Sequence, residues 1–282
     1  MKLYLNSVCV LIVSCIWSSV YWLGGSNQWQ VDRMLASNLY RPWVYRLLVP
    51  SIVRYIASFG IPNSCVLVLV VTLSGLGFYL ALRKLYYHFY PITNQAEIYI
   101  VVFVLACLLV FNYDRLPYDL MVAWLMTAGI YLILTRQFWK YLGVLALASL
   151  NKETAFLLIV FFVVISFRDR GAWWMTACQV YVYGLITVCI RLAFSYAPGS
   201  GLWINPWNNV LAHFQSPISL ICTLLVVVWL GFRINNRWRV HADIRKMFWV
   251  FVPIMLVAYI VCGQAYEFRS LWEIAPVLIL LI

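Results

Sequence analysis

Charge is what this sequence has least of. Only 10% of its 282 residues are Asp, Glu, Lys or Arg, against roughly 25% in an ordinary soluble domain, so a water-exposed globular surface is excluded. Histidine is nearly absent: His88, His213 and His241 are the only three. No HExxH, GxGxxG, P-loop or Ser-His-Asp arrangement occurs, which leaves zinc hydrolysis and nucleotide chemistry without their usual residues. Cysteine is present, at Cys9, Cys15, Cys65, Cys107, Cys178, Cys189, Cys222 and Cys262. No two of these form a CxxC or a Cys/His ligand pattern, and all lie within or at the ends of apolar runs, where cysteine acts as a small hydrophobe. Strict apolar/polar alternation is missing too, which argues against a membrane β-barrel.

Apolar residues fill the space that charge leaves, at 65% of the chain. Several continuous runs reach the ~20 residues that a helix needs to cross a bilayer. The sequence therefore predicts an all-α, polytopic transmembrane bundle forming one domain over residues 1–282. Candidate spans are 3–23, 62–82, 95–111, 119–135, 172–195, 216–232 and 248–265, with a partial one from 274, giving about 7–8 spans. Met1 to Leu23 lacks a clear small-residue cleavage site and reads as a retained first helix. The last run stops at Ile282 after about half a span, the pattern expected of a truncated product.

The net charge of +11 reflects orientation and gives no reason to expect nucleic acid as a partner. Arg83/Lys84, Arg136/Lys140, Arg168/Arg170 and the basic run from Arg233 to Lys246 all favour the cytoplasmic side. They reach it together only if 141–167 enters and leaves by the same face. Its arms, Tyr141–Leu150 and Thr154–Phe167, are about 15 and 21 Å long as helices, too short for the ~30 Å hydrocarbon core in the first case. A re-entrant helical hairpin with Asn151-Lys152-Glu153 at its tip satisfies both lengths and charges. Twelve of the twenty Lys/Arg then face the cytoplasm with only Glu97, Asp169 and Asp243, while the other six acids face outward. Residues 24–61 form an outer loop with an interfacial amphipathic helix, bent or broken at Pro50, in which Arg46 and Arg54 share a face.

Ionisable groups at membrane depth are expensive and usually functional, so the outer charges supply the candidate site. Asp32, in Gln30-Val31-Asp32-Arg33, fits a general base on an incoming nucleophile, or else a helix-start residue or a surface ion pair with Arg33. Asp114, Arg115 and Asp119 crowd the turn Asn112–Asp119, either as part of a site wall or as caps for the next helix. Lys152 and Glu153, being adjacent, point in different directions; they belong to a site or to a polar plug that pairs with neighbouring helices. Arg191 lies near the outer end of its span, and Glu267, Arg269 and Glu273 lie where the last full span emerges. Asp32, Asp114, Asp119 and Glu153 are the candidate catalytic acids. Arg46, Arg115, Lys152, Arg191, Glu267 and Arg269 are the candidate substrate-binding residues, the cations suiting a phosphate or diphosphate. No metal site or cofactor is read from the sequence.

Asp32 after the first span, the interfacial helix that follows it, the segment Tyr40-Arg41-Pro42 … Arg46-Leu47-Leu48-Val49-Pro50 and the tip Leu150-Asn151-Lys152-Glu153-Thr154-Ala155 together resemble the GT-C superfamily of integral-membrane glycosyltransferases. The acid/arginine pair before the final span is similar to bacterial members. The resemblance implies sugar transfer from a polyprenyl-phosphate donor to an envelope glycan or lipid acceptor, outside a bacterial cytoplasmic membrane. Asp32 would be the base, and Lys152, Arg46, Arg191 and Arg269 would hold the donor phosphate. The chain departs from that pattern in having one first-loop acid followed by Arg33 where two acids are usual, and in carrying no large soluble outer domain. Membrane lipids and the lipid-linked donor are the implied partners. A transporter or flippase for an anionic or lipid-phosphate substrate, and a non-catalytic scaffold, are the other classes the residues allow.

Overall fold

A computed structural model describes residues 8, 10–16, 33, 35–36, 45–91, 93–110, 119–167, 169, 171–197, 241–262 and 273–281. These residues are all-helical, with no strand among them. In chain order the elements are α1 (Leu48–Ala57), α2 (Asn63–Phe89), α3 (Asn94–Val110), α4 (Asp119–Leu134), α5 (Phe138–Asn151), a 3-10 turn (Glu153–Ala155), α6 (Phe156–Ser166), α7 (Ala172–Ala193), α8 (Ala242–Cys262) and α9 (Ala275–Leu281). Residues 216–232, read as a span from the sequence, lie outside the described residues.

Among the described residues, two helices are long and apolar enough to cross a membrane, α2 with 27 residues and α7 with 22. At ~1.5 Å per residue they measure about 40 and 33 Å, against ~30 Å of hydrocarbon. They meet their surroundings differently. The apolar window of α2 is 61% buried inside the protein, whereas that of α7 is 11% buried. α2 is the central helix: Val66, Val70, Ser74, Phe78, Leu82 and Leu85 recur at helical spacing and are all buried. It packs most closely on α4, where Gly77 lets the Trp124 indole lie directly on the backbone. A β-carbon at Gly77 would overlap that ring. α7 leaves Trp173, Trp174, Tyr181, Leu185, Val188 and Leu192 exposed, a large apolar face of the kind that marks contact with lipid or protein.

Polar side chains within these apolar helices are satisfied locally. Ser74, Thr127, Ser149 and Thr176 each donate a hydroxyl proton to the carbonyl four residues earlier, so a hydroxyl is carried inward without an orphaned donor. The start of α3 is capped by Thr93, whose Oγ1 accepts from the Ala96 N–H at 3.1 Å.

Two local expectations are corrected. Pro50 neither bends nor breaks α1; it occupies the first turn, where its missing N–H removes no intrahelical bond. Arg46 and Arg54 do not share a helical face, because α1 begins at Leu48. The Arg46 side chain is turned inward and only 11% exposed, while Arg54 is exposed.

The chain reverses sharply between α4 and α5. Gln137 N–H donates to Leu132 C=O and Arg136 N–H to Ile133 C=O, at 2.9 and 3.1 Å. This paired closure normally places glycine at the left-handed residue. Here that residue is Arg136, with φ 55°, and a side chain there costs about 1 kcal/mol or more relative to glycine.

A second reversal separates α5 from α6. Lys152 adopts an extended conformation (φ −160°, ψ 146°) between two helical stretches. The ring of Tyr141, near the start of α5, stacks on Phe162 of α6 with centroids 6.0 Å apart. On one straight helix those positions would be about 32 Å apart, so the two arms fold back with Lys152 at the bend.

The bundle consequently has two distinct ends. At one end, the Tyr90 hydroxyl after α2 donates to Leu280 C=O of α9 at 2.7 Å. His241, before α8, lies 5.1 Å from Phe89, and the base of the α5/α6 hairpin lies at this same end. The other end holds the hairpin tip, the last turn of α7 and Glu273, just before α9.

Candidate functional site

The tip of the hairpin is held by three segments distant in sequence. Leu47 N–H donates to Leu150 C=O at 2.8 Å, tying the segment before α1 to the end of α5. Beside that bond, Tyr45 packs with Ile190 and Ala197, and Leu150, Ile186 and Phe194 close around them. The Tyr183 hydroxyl of α7 donates to Glu153 C=O at 3.0 Å. That backbone carbonyl would otherwise be stranded where two helices break, a costly position away from water.

Lys152 and Glu153 diverge from the bend. The Lys152 ammonium reaches Glu273, Nζ to Oε1 2.6 Å, with the lysine side chain 11% exposed and the glutamate fully buried. Thr154 Oγ1 donates to that same Glu273 oxygen at 3.0 Å. Glu153 turns the other way, toward Arg46, with Oε2 4.0 Å from the guanidinium Nε. The site thus alternates sign: Arg46, Glu153, Lys152, Glu273. Arg191 stands at its margin, with its guanidinium carbon 6.0 Å from the Tyr45 ring centroid, at the outer limit for a cation–π contact.

Each acid presents one oxygen to its cation and keeps one in reserve. Glu153 Oε1 and Glu273 Oε2 are buried without a hydrogen-bond partner among the described residues. An ionised carboxylate accepts several bonds, so each of these oxygens has capacity for a further donor. Neither cation is free in the way a phosphate site from the sequence implies. An anion would have to compete with Glu153 for Arg46 and with Glu273 for Lys152. Among the described residues, no three His, Cys, Asp or Glu side chains gather as a metal-holding group.

Of the sequence candidates, Arg46, Lys152 and Glu153 converge on this tip, and Arg191 reaches it through Tyr45. Asp119 is buried at the first residue of α4, where the helix dipole favours a carboxylate. Asp32, Asp114, Arg115, Glu267 and Arg269 lie outside the described residues. Glu273 is the residue that sequence reasoning passed over as a site member, although it counted among the outer acids. Its signal was position alone: a carboxylate bordering an apolar run needs a partner, and Lys152 was the lysine in the opposite predicament. Tyr183 and Thr154 carried no signal at all, since a tyrosine and a threonine in apolar helices are commonplace.

Comparison with protein-family models, curated proteins and solved structures gave no match, so a functional reading rests on this geometry and on the sequence pattern.

Proposed function

We propose that the chain is a multi-pass membrane protein of GT-C-like type, transferring a sugar from a polyprenyl-phosphate donor to an envelope glycan or lipid acceptor. In this reading it crosses a bacterial cytoplasmic membrane about 7–8 times. The α5/α6 hairpin is re-entrant, α1 lies in the outer interface, and the tip opens on the outer side. The observation that carries it is the hairpin tip, where Lys152–Glu273 and Arg46–Glu153 place alternating charges on a broken helix. Buried ion pairs are poor investments for stability alone, and irregular backbone at membrane depth is tolerated where protein or a polar cavity receives it.

The chemistry asks for two things. A carboxylate accepts the proton of the acceptor hydroxyl as its oxygen attacks the anomeric carbon; Asp32 is the base that the sequence pattern indicates, and Glu153 is the acid at the tip with an oxygen to spare. The bond between anomeric carbon and phosphate oxygen breaks, and the electron pair leaves with the lipid phosphate. In this reading Arg46, Lys152 and Arg191 balance that charge, and Glu153 and Glu273 hold the first two in position until the donor arrives.

The test is surface-glycan mass spectrometry in a strain lacking the gene, complemented with wild type, Asp32→Ala or Glu153→Gln at matched levels in the membrane fraction. Loss of one sugar, restored by wild type and by neither variant, is the expected result. An unchanged glycan profile in the deletion strain would sink the transferase reading.

A second reading draws on the same broken hairpin. Half-helices meeting at a polar tip also form substrate sites in transporters. Accumulation of a lipid phosphate across proteoliposomes, with its chemistry unchanged, would favour that class.

A further inference from the structure

A cavity of about 590 Å3 opens at the end of the bundle opposite the hairpin tip. It lies where the end of α4, both bases of the α5/α6 hairpin and the starts of α7 and α8 converge. Phe138, Tyr141 and Phe162 supply the aromatic part of its lining. Among the described residues its charged lining comprises Arg136 and Lys246 with Asp169 and Asp243. The volume lies within the usual range for small-molecule sites, about 300–1,000 Å3. It exceeds what a phosphate needs and suits a polar head with the first part of a chain.

The charged residues are held by local structure. Asp169 Oδ1 accepts from the Gly171 N–H at 3.0 Å. Asp243 is 3.2 Å from the Lys246 ammonium, one helical turn away. Arg136 occupies the left-handed position that closes α4. Glycine would relax that turn, so the arginine stands there against local backbone preference. A strained residue at the mouth of a cavity is where a binding role is sought.

We propose that this cavity binds a zwitterionic phospholipid, a phosphate beside a primary ammonium, with the start of its acyl chains against the aromatic lining. The phosphate is read by Arg136 and Lys246 through charge-assisted hydrogen bonds. The ammonium is read by Asp169 and Asp243. A purely anionic head would satisfy the cations and leave both acids facing negative charge. The site is independent of the hairpin tip and of the reaction proposed there.

Native mass spectrometry of the full chain, released from detergent after delipidation, provides the test. The probes are dioleoyl phosphatidylethanolamine, dioleoyl phosphatidylglycerol, dioleoylglycerol and free glycerol 3-phosphate. Phosphatidylethanolamine is expected to be retained at least ~10-fold better than dioleoylglycerol and clearly better than phosphatidylglycerol, the factor expected of a charge-assisted pair. Arg136→Gly is expected to lose that retention by a similar factor while its melting temperature holds or rises, because glycine suits the left-handed turn. Met175→Trp, which fills the cavity, is expected to lose it as well. Equal retention of phosphatidylglycerol would overturn the reading of both charges. Competition by glycerol 3-phosphate at the lipid's own concentration would overturn the role of the aromatic lining. Wild-type retention by Arg136→Gly would remove the site itself, whatever Met175→Trp does to folding.

Discussion

The two ends of the bundle carry charge in opposite ways. At the basic end the partners are near in sequence and in contact with solvent. Lys246 pairs with Asp243 three residues away, and both are substantially exposed; Arg83 pairs with Glu97 across the single turn between α2 and α3. At the tip the partners come from distant segments: Lys152 pairs with a fully buried Glu273, and the inward-turned Arg46 faces a Glu153 whose side chain is 33% exposed. Charges of the first kind cost little and contribute little where they are exposed, as at Lys246–Asp243. Charges of the second kind are stable only once the tertiary structure has assembled both partners, and removing one leaves the other buried and uncompensated. The difference puts the more costly ion pair, Lys152–Glu273, at the tip.

The largest effect expected from breaking this contrast is at Glu273. Glu273→Ala should destabilise the protein by about 3–5 kcal/mol, leaving Lys152 buried without its counter-charge. The double change Lys152→Met, Glu273→Leu should recover most of that loss, seen as a returning thermal unfolding midpoint in detergent. If the single variant unfolds at the wild-type temperature, the pair is not buried as described.

Arg83→Gln comes next. It cuts a 2.6 Å ion pair that is only partly exposed, and a loss of about 1–2 kcal/mol is expected; a loss as large as that of Glu273→Ala would erase the distinction between the ends. Tyr183→Phe removes one hydrogen bond to the Glu153 carbonyl. It should cost about 0.5–1.5 kcal/mol and, in a transfer assay, lower turnover by loosening the tip. Unaltered turnover in a variant of wild-type stability would detach Tyr183 from the site. Lys246→Ala should be the mildest, within about 0.5 kcal/mol, and weaker still at high salt. A clear shift in its unfolding midpoint would show that the basic end is more than a solvated rim.

Legibility in the sequence followed the range of the interactions. The helical class, the limits of α4 and α7 and the start of α2 were readable because apolar run length is a local property; α2 continues to Phe89, past the expected end at 82, because its last two turns carry polar and charged residues that a hydropathy reading excludes. The bend at Asn151-Lys152-Glu153 was readable for the same reason: two arms too short to span, separated by a charged tripeptide. Pro50 was misjudged because its effect depends on where the helix starts, and nothing local states that α1 begins at Leu48. The shared face of Arg46 and Arg54 failed with it. At the tip, Lys152, Glu153 and Arg46 could be nominated as charges needing an explanation, but their pairing could not.

The sequence by itself determined that this is a helical, apolar chain with a charged break in one hairpin, because hydrophobicity and helix length act along the chain. Tertiary structure alone decided that Lys152 answers to Glu273, 121 residues away, that Arg46 turns inward to Glu153, and that Arg136 stands at the mouth of a cavity. Those choices depend on desolvation and on which segments exclude water together, and no single segment contains that information.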